Sequence, residues 1–292
     1  MRTLKLGLAL GAGGTKGAAH VGVMRVLDEA GIKIDAVAGT SIGSLYGGAY
    51  AVGRSSQELD EGIRDCPNFE VINFFRHRLK LRHNNRLSRR FYEALAGHHI
   101  EDLPTPYAAT ASDIVAHREV VITYGPIIDA IEASIAIPML ARPVAHQGRY
   151  LLDGGFWGSA PVSAAAGLGA DIVVAVELGQ PYELHPSLIA PAKWLAEKMA
   201  GVPFARTIAG VPFTINAVTR PLPAGRTADL VIRPPMGHVN GNSPFGMVRC
   251  LDAGIEAAQA ALPAIRALLA GEAPATVARE FAPGTQLNPG LA

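Results

Sequence analysis

Ser41 stands in Gly39-Thr40-Ser41-Ile42-Gly43, where the chain changes from strand-forming to helix-forming character. Ala36-Val37-Ala38 has the apolar composition of a buried strand, and Ile42 to Ala51 is a small-residue run that predicts a helix. A serine at such a strand-to-helix elbow projects its hydroxyl from the head of a sheet. Glycines on either side give the neighbouring backbone room for it. The helix N-terminus behind the serine favours developing negative charge. The chemistry this predicts is nucleophilic attack by Ser41.

A second group precedes it. Leu4 to Leu10 reads as a first strand running into Gly11-Ala12-Gly13-Gly14-Thr15-Lys16-Gly17. A loop so poor in side chains turns several backbone N–H groups toward one point, which makes an oxyanion hole or a phosphate cradle. A Walker loop needs Gly-Lys-Ser/Thr, and the order here is Lys16-Gly17-Ala18. The dinucleotide pattern starting at Gly11 requires glycine where Lys16 stands, and it leaves the serine elbow without a role. The third group is an acid: Arg149 to Leu152 reads as a short strand ending at Asp153, and Gly154-Gly155 turns the chain so that the carboxylate stays at the strand end. An Asp-Gly-Gly alone is an ordinary turn; beside an elbow serine and a glycine loop it is a candidate catalytic acid or base.

These motifs resemble those of the patatin-like phospholipase family. Gly13-Gly14-Thr15-Lys16-Gly17, continuing through Ala18-Ala19-His20-Val21-Gly22-Val23, is similar to that family's oxyanion loop and first helix. Gly39 to Gly43 resembles its nucleophile elbow, and Asp153-Gly154-Gly155 its aspartate motif. Ala133 to Pro138, Pro161-Val162 and Gly169 to Val173 extend the likeness, with Ala12 and Lys16 standing where many members carry glycine and arginine. The resemblance implies an α/β fold, a three-layer sandwich around a mainly parallel sheet, with one catalytic domain over residues 4–270; the Gly-, Ala- and Pro-containing stretch 271–292 reads as a disordered tail. The resemblance also implies that Ser41 attacks an ester carbonyl, that Asp153 accepts the proton and later activates water, and that the Gly13 and Gly14 N–H groups hold the oxyanion. No metal and no cofactor is expected. An aspartate of ordinary pKa, ~3.9, is a weak base toward a hydroxyl. Slow turnover therefore follows, with the oxyanion donors supplying ~3 kcal/mol each.

Two other readings stay open on the residues alone. A Ser-Asp-His triad of the α/β-hydrolase kind would draw its histidine from His185 or His238, although in that fold the elbow normally follows several strands and helices rather than one of each. A non-catalytic lipid-binding or regulatory protein would use the same scaffold. His20 reads as a helix-packing or loop-bracing residue, and the remaining histidines share no metal-ligand spacing with cysteine or carboxylate.

The elements that must position these groups follow from the apolar pattern. After the first strand come helix 18–30, the strand and elbow, helix 42–51 and a variable segment. Strands near 106–111 and 119–123, a helix over 127–134, and the strand ending at Asp153 follow. Then come a helix, strand 172–176, a long insertion, a strand near 230–232 and a helix over 245–270. This alternation predicts a parallel sheet between helix layers. The chain has 292 residues, 49% of them hydrophobic, enough for one large core. Cys66 and Cys250 make no disulfide framework, no run of ~20 uncharged apolar residues reads as a spanning helix, and the first apolar run reads as a strand rather than a leader, so a cytoplasmic location is expected.

Two segments bear on the substrate. Arg76, Arg78, Lys80, Arg82, Arg86, Arg89 and Arg90 follow one another without an intervening acid in a chain of net charge +1. Arg78, Lys80 and Arg82 alternate with leucines, so an extended segment shows cations on one face, flanked by Phe69, Phe74, Phe75, Phe91 and Tyr92. Peripheral contact with an anionic membrane is expected there, against a solvated face as the plainer reading; no nucleic-acid motif accompanies the charge. Residues 181–226, with Trp194, Met199 and Phe213, read as a lid or as packing onto the sheet.

Overall fold

The computed structural model describes residues 3–68, 70–71, 81, 86–113, 116, 118–137, 141–156, 160–179, 227–237, 239, 245–272 and 285–286. Strand β1 (Leu6–Leu10) leads through the glycine loop and a 3-10 turn (Gly14–Gly17) into α1 (Ala18–Glu29). Strand β2 (Ala36–Thr40) runs directly into α2 (Ile42–Ala51), followed by α3 (Ser56–Arg64) and α4 (Arg86–Leu95). Next come β3 (Tyr107–Asp113), β4 (Arg118–Ile122), α5 (Ile127–Ser134), β5 (Val144–His146) and β6 (Arg149–Asp153). The order closes with α6 (Val162–Gly167), β7 (Ile172–Val176), β8 (Leu230–Ile232), α7 (Met247–Leu269) and β9 (Thr285–Gln286).

The sheet is nine-stranded, ordered β5-β6-β3-β2-β1-β7-β8-β9 with β4 also on β3. Its centre, β3-β2-β1-β7-β8, is parallel; the outer pairings are antiparallel. Period-two alternation sorts its faces. Leu6, Leu8, Leu10, Val37, Val174 and Val176 meet the large core beneath α1, α2, α5 and α7, whereas Ala9, Ala36, Ala38, Ala108, Val173 and Ala175 meet the alanines of α6. Bulky residues on one face and small ones on the other give the three layers the sequence predicts.

One feature of the topology places the site. Strand β4 occupies one edge of β3 from Ala109 to Asp113. The opposite edge is shared, β2 pairing along Tyr107 to Thr110 and β6 along Ala111 to Asp113. Because β2 is parallel and β6 antiparallel to β3, these strands meet head to head. Thr40 lies opposite Thr110 and Asp153 opposite Ala111, the next residue. The residue after Thr40 is Ser41.

The described residues between α2 and β3 include helices α3 and α4, where the sequence pattern marks only a variable segment. Helix α3 starts with a capping box, Ser55 and Glu58 exchanging side-chain and backbone hydrogen bonds. It is held by Asp60, 1% exposed, which accepts from Arg25 of α1 and, at 2.5 Å, from Arg64; Arg64 also reaches Asp252 of α7 at 2.9 Å. Arg86, Arg89 and Arg90 of the basic run belong to α4, and Phe91 packs inward, edge-on to Tyr46 at 5.9 Å between ring centres. A helix spaces its side chains by 3.6 residues, so Phe91 joins the core while Tyr92 stays outside.

Arg78, Lys80, Arg82, His185, His238 and the 181–226 segment lie outside the described residues. Within the expected tail, Thr285 and Gln286 pair antiparallel with Ile232 and Val231. Among the described residues no helix is long and apolar enough to cross a membrane.

Candidate active site

Ser41 has φ 53° and ψ −124°, a conformation L-residues rarely adopt and one that costs on the order of 1–3 kcal/mol. Local hydrogen bonds hold it. Its N–H donates to Ser134 Oγ at 2.8 Å, and Ser134 Oγ donates in turn to the Thr110 carbonyl at 2.6 Å. Its carbonyl accepts from Ser44 Oγ at 2.6 Å. Thr40 Oγ1 and Thr110 Oγ1 lie 2.7 Å apart, tying β2 to β3 one residue before the elbow. The flanking glycines are steric necessities: a Cβ on Gly39 would stand 2.4 Å from the Gly43 carbonyl oxygen, and one on Gly43 2.2 Å from that of Leu10.

Asp153 is fully buried and Ser41 is 4% exposed. Ser41 Oγ donates to Asp153 Oδ2 at 2.5 Å, across 112 residues of sequence. The other carboxylate oxygen accepts from the Gly155 N–H at 2.8 Å. Asp153 is fixed by its backbone as well, its N–H donating to the Ala136 carbonyl at 3.0 Å and its carbonyl accepting from Ser112 Oγ at 2.8 Å. Gly154 allows the turn, since a Cβ there would lie 2.4 Å from the Thr110 carbonyl oxygen.

The glycine loop meets the elbow from the β1 side. Gly14, at φ 58°, starts the 3-10 turn, and Gly14 and Thr15 line the same cavity as Ser41. Gly13 lies one residue further back and is not among the cavity-lining residues. Among the described residues neither the Gly13 nor the Gly14 N–H is given to another backbone carbonyl, as befits donors at the start of a helical turn.

His20, fully buried, lies on α1 with Nε2 2.7 Å from the Gly11 carbonyl, so it braces the glycine loop. Among the described residues its Nδ1 has no partner, which assigns Nε2 as the protonated nitrogen and donor. Burial pushes its pKa down to about 4, partly opposed by the Gly11 hydrogen bond. A depressed folded pKa means that the unfolded chain takes the proton first. Stability from this group is complete above pH ~6.5 and declines toward pH ~4, by about 3 kcal/mol in all. Urea unfolding should therefore show His20→Gln losing less stability than the unsubstituted chain between pH 7 and pH 4.5. Equal losses would show that His20 is not the group responsible.

A cavity of about 440 Å³ opens on Ser41, within the usual range for small-molecule sites. Its inner wall is largely apolar, with Ile42 and Leu45 of α2, Ile63 of α3, and Ile135 and Ile137 beyond α5. Among the described residues no group of histidine, cysteine and carboxylate side chains is gathered to hold a metal ion.

Sequence reasoning singled out Ser41, Asp153 and the glycines, and did not find Ser134, Ser112 or the α3 and α4 walls. Ser134 falls within the family-like stretch Ala133 to Pro138, but its bond to Ser41 spans 93 residues and leaves no local signal.

A family model described as patatin-like phospholipase matches residues 8–166 of this chain. An uncharacterized NTE family protein of Mycobacterium bovis is 33% identical over 199 residues, 65% of this chain and 54% of the relative. The Mycosarcoma maydis protein named lysophospholipase NTE1 is 33% identical over 192 residues, 63% of this chain and 10% of its own length. The chain thus spans about half the length of the mycobacterial relative and a small part of the fungal one. Among solved structures, that of VipD from Legionella pneumophila superposes with a TM-score of 0.51 at 16% identity, covering 90% of this chain and 67% of that one.

Proposed function

The chain belongs to the patatin-like phospholipase family, and from that membership we propose that it hydrolyses acyl esters of phospholipids, lysophospholipids or related lipids with Ser41 as nucleophile and Asp153 as base. The observation carrying this reading is the 2.5 Å hydrogen bond from Ser41 Oγ to Asp153 Oδ2 beside an apolar cavity. In the proposed reaction Asp153 Oδ2 takes the hydroxyl proton as Ser41 Oγ bonds to the ester carbon. The carbonyl oxygen becomes an oxyanion and is met by the Gly13 and Gly14 N–H groups. The Ser41 N–H is already committed to Ser134, so it is not one of these donors. Collapse breaks the carbon–oxygen bond of the leaving alcohol, which takes the proton from Asp153. Water then adds to the acyl-enzyme with Asp153 as base, freeing the fatty acid and restoring Ser41.

Incubation with a lysophospholipid tests the reading: fatty acid should appear as substrate disappears, at a rate proportional to protein. Failure to release fatty acid from lysophospholipids, diacyl phospholipids and simple esters alike would favour the non-catalytic lipid-binding alternative. Within the same reading, Arg78, Lys80 and Arg82 are proposed to meet anionic lipid. At ~1 kcal/mol per cation, replacing all three with glutamine should weaken co-sedimentation with anionic vesicles by ~3 kcal/mol, with the difference shrinking at high salt. Equal binding of both proteins would reduce the segment to a solvated face.

A further inference from the structure

We propose that Gly62 determines how long an acyl chain the site accepts, an inference that rests on the acyl-ester reading and concerns the same cavity. Ser41, Leu45 and Ala49 recur every fourth residue, so they stack along one face of α2, and all three line the cavity. From Ser41 to Ala49 the helix rises about 12 Å. The cavity therefore runs along α2 as a channel rather than ending at the serine. Its other walls have the same helical spacing: Leu59, Gly62 and Ile63 from α3, and Leu87, Phe91 and Ala94 from α4. At the far end the lining changes to Arg54, Glu58 and Glu93, all exposed, so the channel opens to solvent between α3 and α4. A linear saturated chain esterified at Ser41 fits this shape, with its tail emerging there.

Gly62 is the residue whose identity the fold does not otherwise explain. It lies inside α3, where glycine is less favourable than alanine by up to ~1 kcal/mol. Its backbone is not in the left-handed region, and a Cβ there would meet nothing closer than Arg90 Nη2 at 4.0 Å. The contrast with α2 is clear: a Cβ on Gly47 or Gly48 would press on Val37 or Ile131 at 2.7 and 2.8 Å, so those glycines serve packing. What the missing side chain of Gly62 provides is open channel.

The test uses Gly62→Leu, with Ala94→Leu intruding from α4. Leucine favours helix more than glycine does, and the unfolding midpoint checks that each variant is folded. Turnover of p-nitrophenyl palmitate and butyrate is measured together with calorimetric binding of palmitate. The ratio of palmitate-ester to butyrate-ester turnover should fall about tenfold or more in both variants, and palmitate affinity should fall with it. An unchanged ratio in a protein that hydrolyses both esters would overturn the channel and leave the hydrolase reading standing. If the unsubstituted chain hydrolyses neither ester yet binds palmitate more tightly than Gly62→Leu, the channel stands and the hydrolase reading falls. No hydrolysis and equal binding would overturn the proposal.

Discussion

Ser41→Ala is expected to abolish ester hydrolysis, lowering kcat by roughly 10⁴-fold or more, while the protein remains folded. The loss is large because no acyl-enzyme can form without the hydroxyl. The fold should survive because Ser41 is small and its restraints run through the backbone: the N–H bond to Ser134 and the carbonyl bond from Ser44 do not involve the deleted atom. The hydroxyl's bond to Asp153 is lost, a cost of about 1–3 kcal/mol if the carboxylate oxygen finds no replacement. Circular dichroism and the unfolding midpoint check the fold, and a chromogenic ester checks the rate. Near-native turnover by Ser41→Ala would remove the serine from the mechanism.

Asp153→Asn should be almost as damaging, by roughly 10³-fold or more in kcat, and it separates the dyad from a triad. Asparagine has the same shape, and its carbonyl oxygen can still accept from the Gly155 N–H. What it cannot do is take the Ser41 proton. If Asp153 is the sole base, His185→Ala and His238→Ala will each keep substantial rates, within about tenfold of the unsubstituted chain. A loss of several orders of magnitude on removing either histidine, with the fold intact, would establish a histidine in the proton path.

The parts legible in the sequence were those specified by local pattern. α2 and α5, and strands β6 and β7, lie at the expected residues because glycines and prolines punctuate these apolar runs close to both ends. Ser41 and Asp153 stood out because their glycines are required by contacts of 2.4 Å or less with backbone oxygens, and that requirement is written into the composition. The pairing itself was not local. That β2 and β6 share one edge of β3 decides how Ser41 reaches Asp153, and nothing within either strand states it.

Helix α3 did announce itself, through Ser55 and Glu58 at capping-box spacing and Leu59 and Ile63 one turn apart; the charged residues around them obscured the pattern. In α4, Leu87, Phe91 and Leu95 recur every fourth residue, but Arg86, Arg89 and Arg90 among them stand out as part of a basic run rather than as the outer face of a helix. The cavity walls were missed for that reason.

The position of a covalent adduct identifies the nucleophile. A fluorophosphonate bonds to the oxygen of an activated serine, and proteolysis with mass spectrometry then locates the added mass. The dyad account predicts stoichiometric modification of Ser41, abolished in Ser41→Ala and strongly slowed in Asp153→Asn. Modification of a different serine, with Ser41 left free, would contradict it.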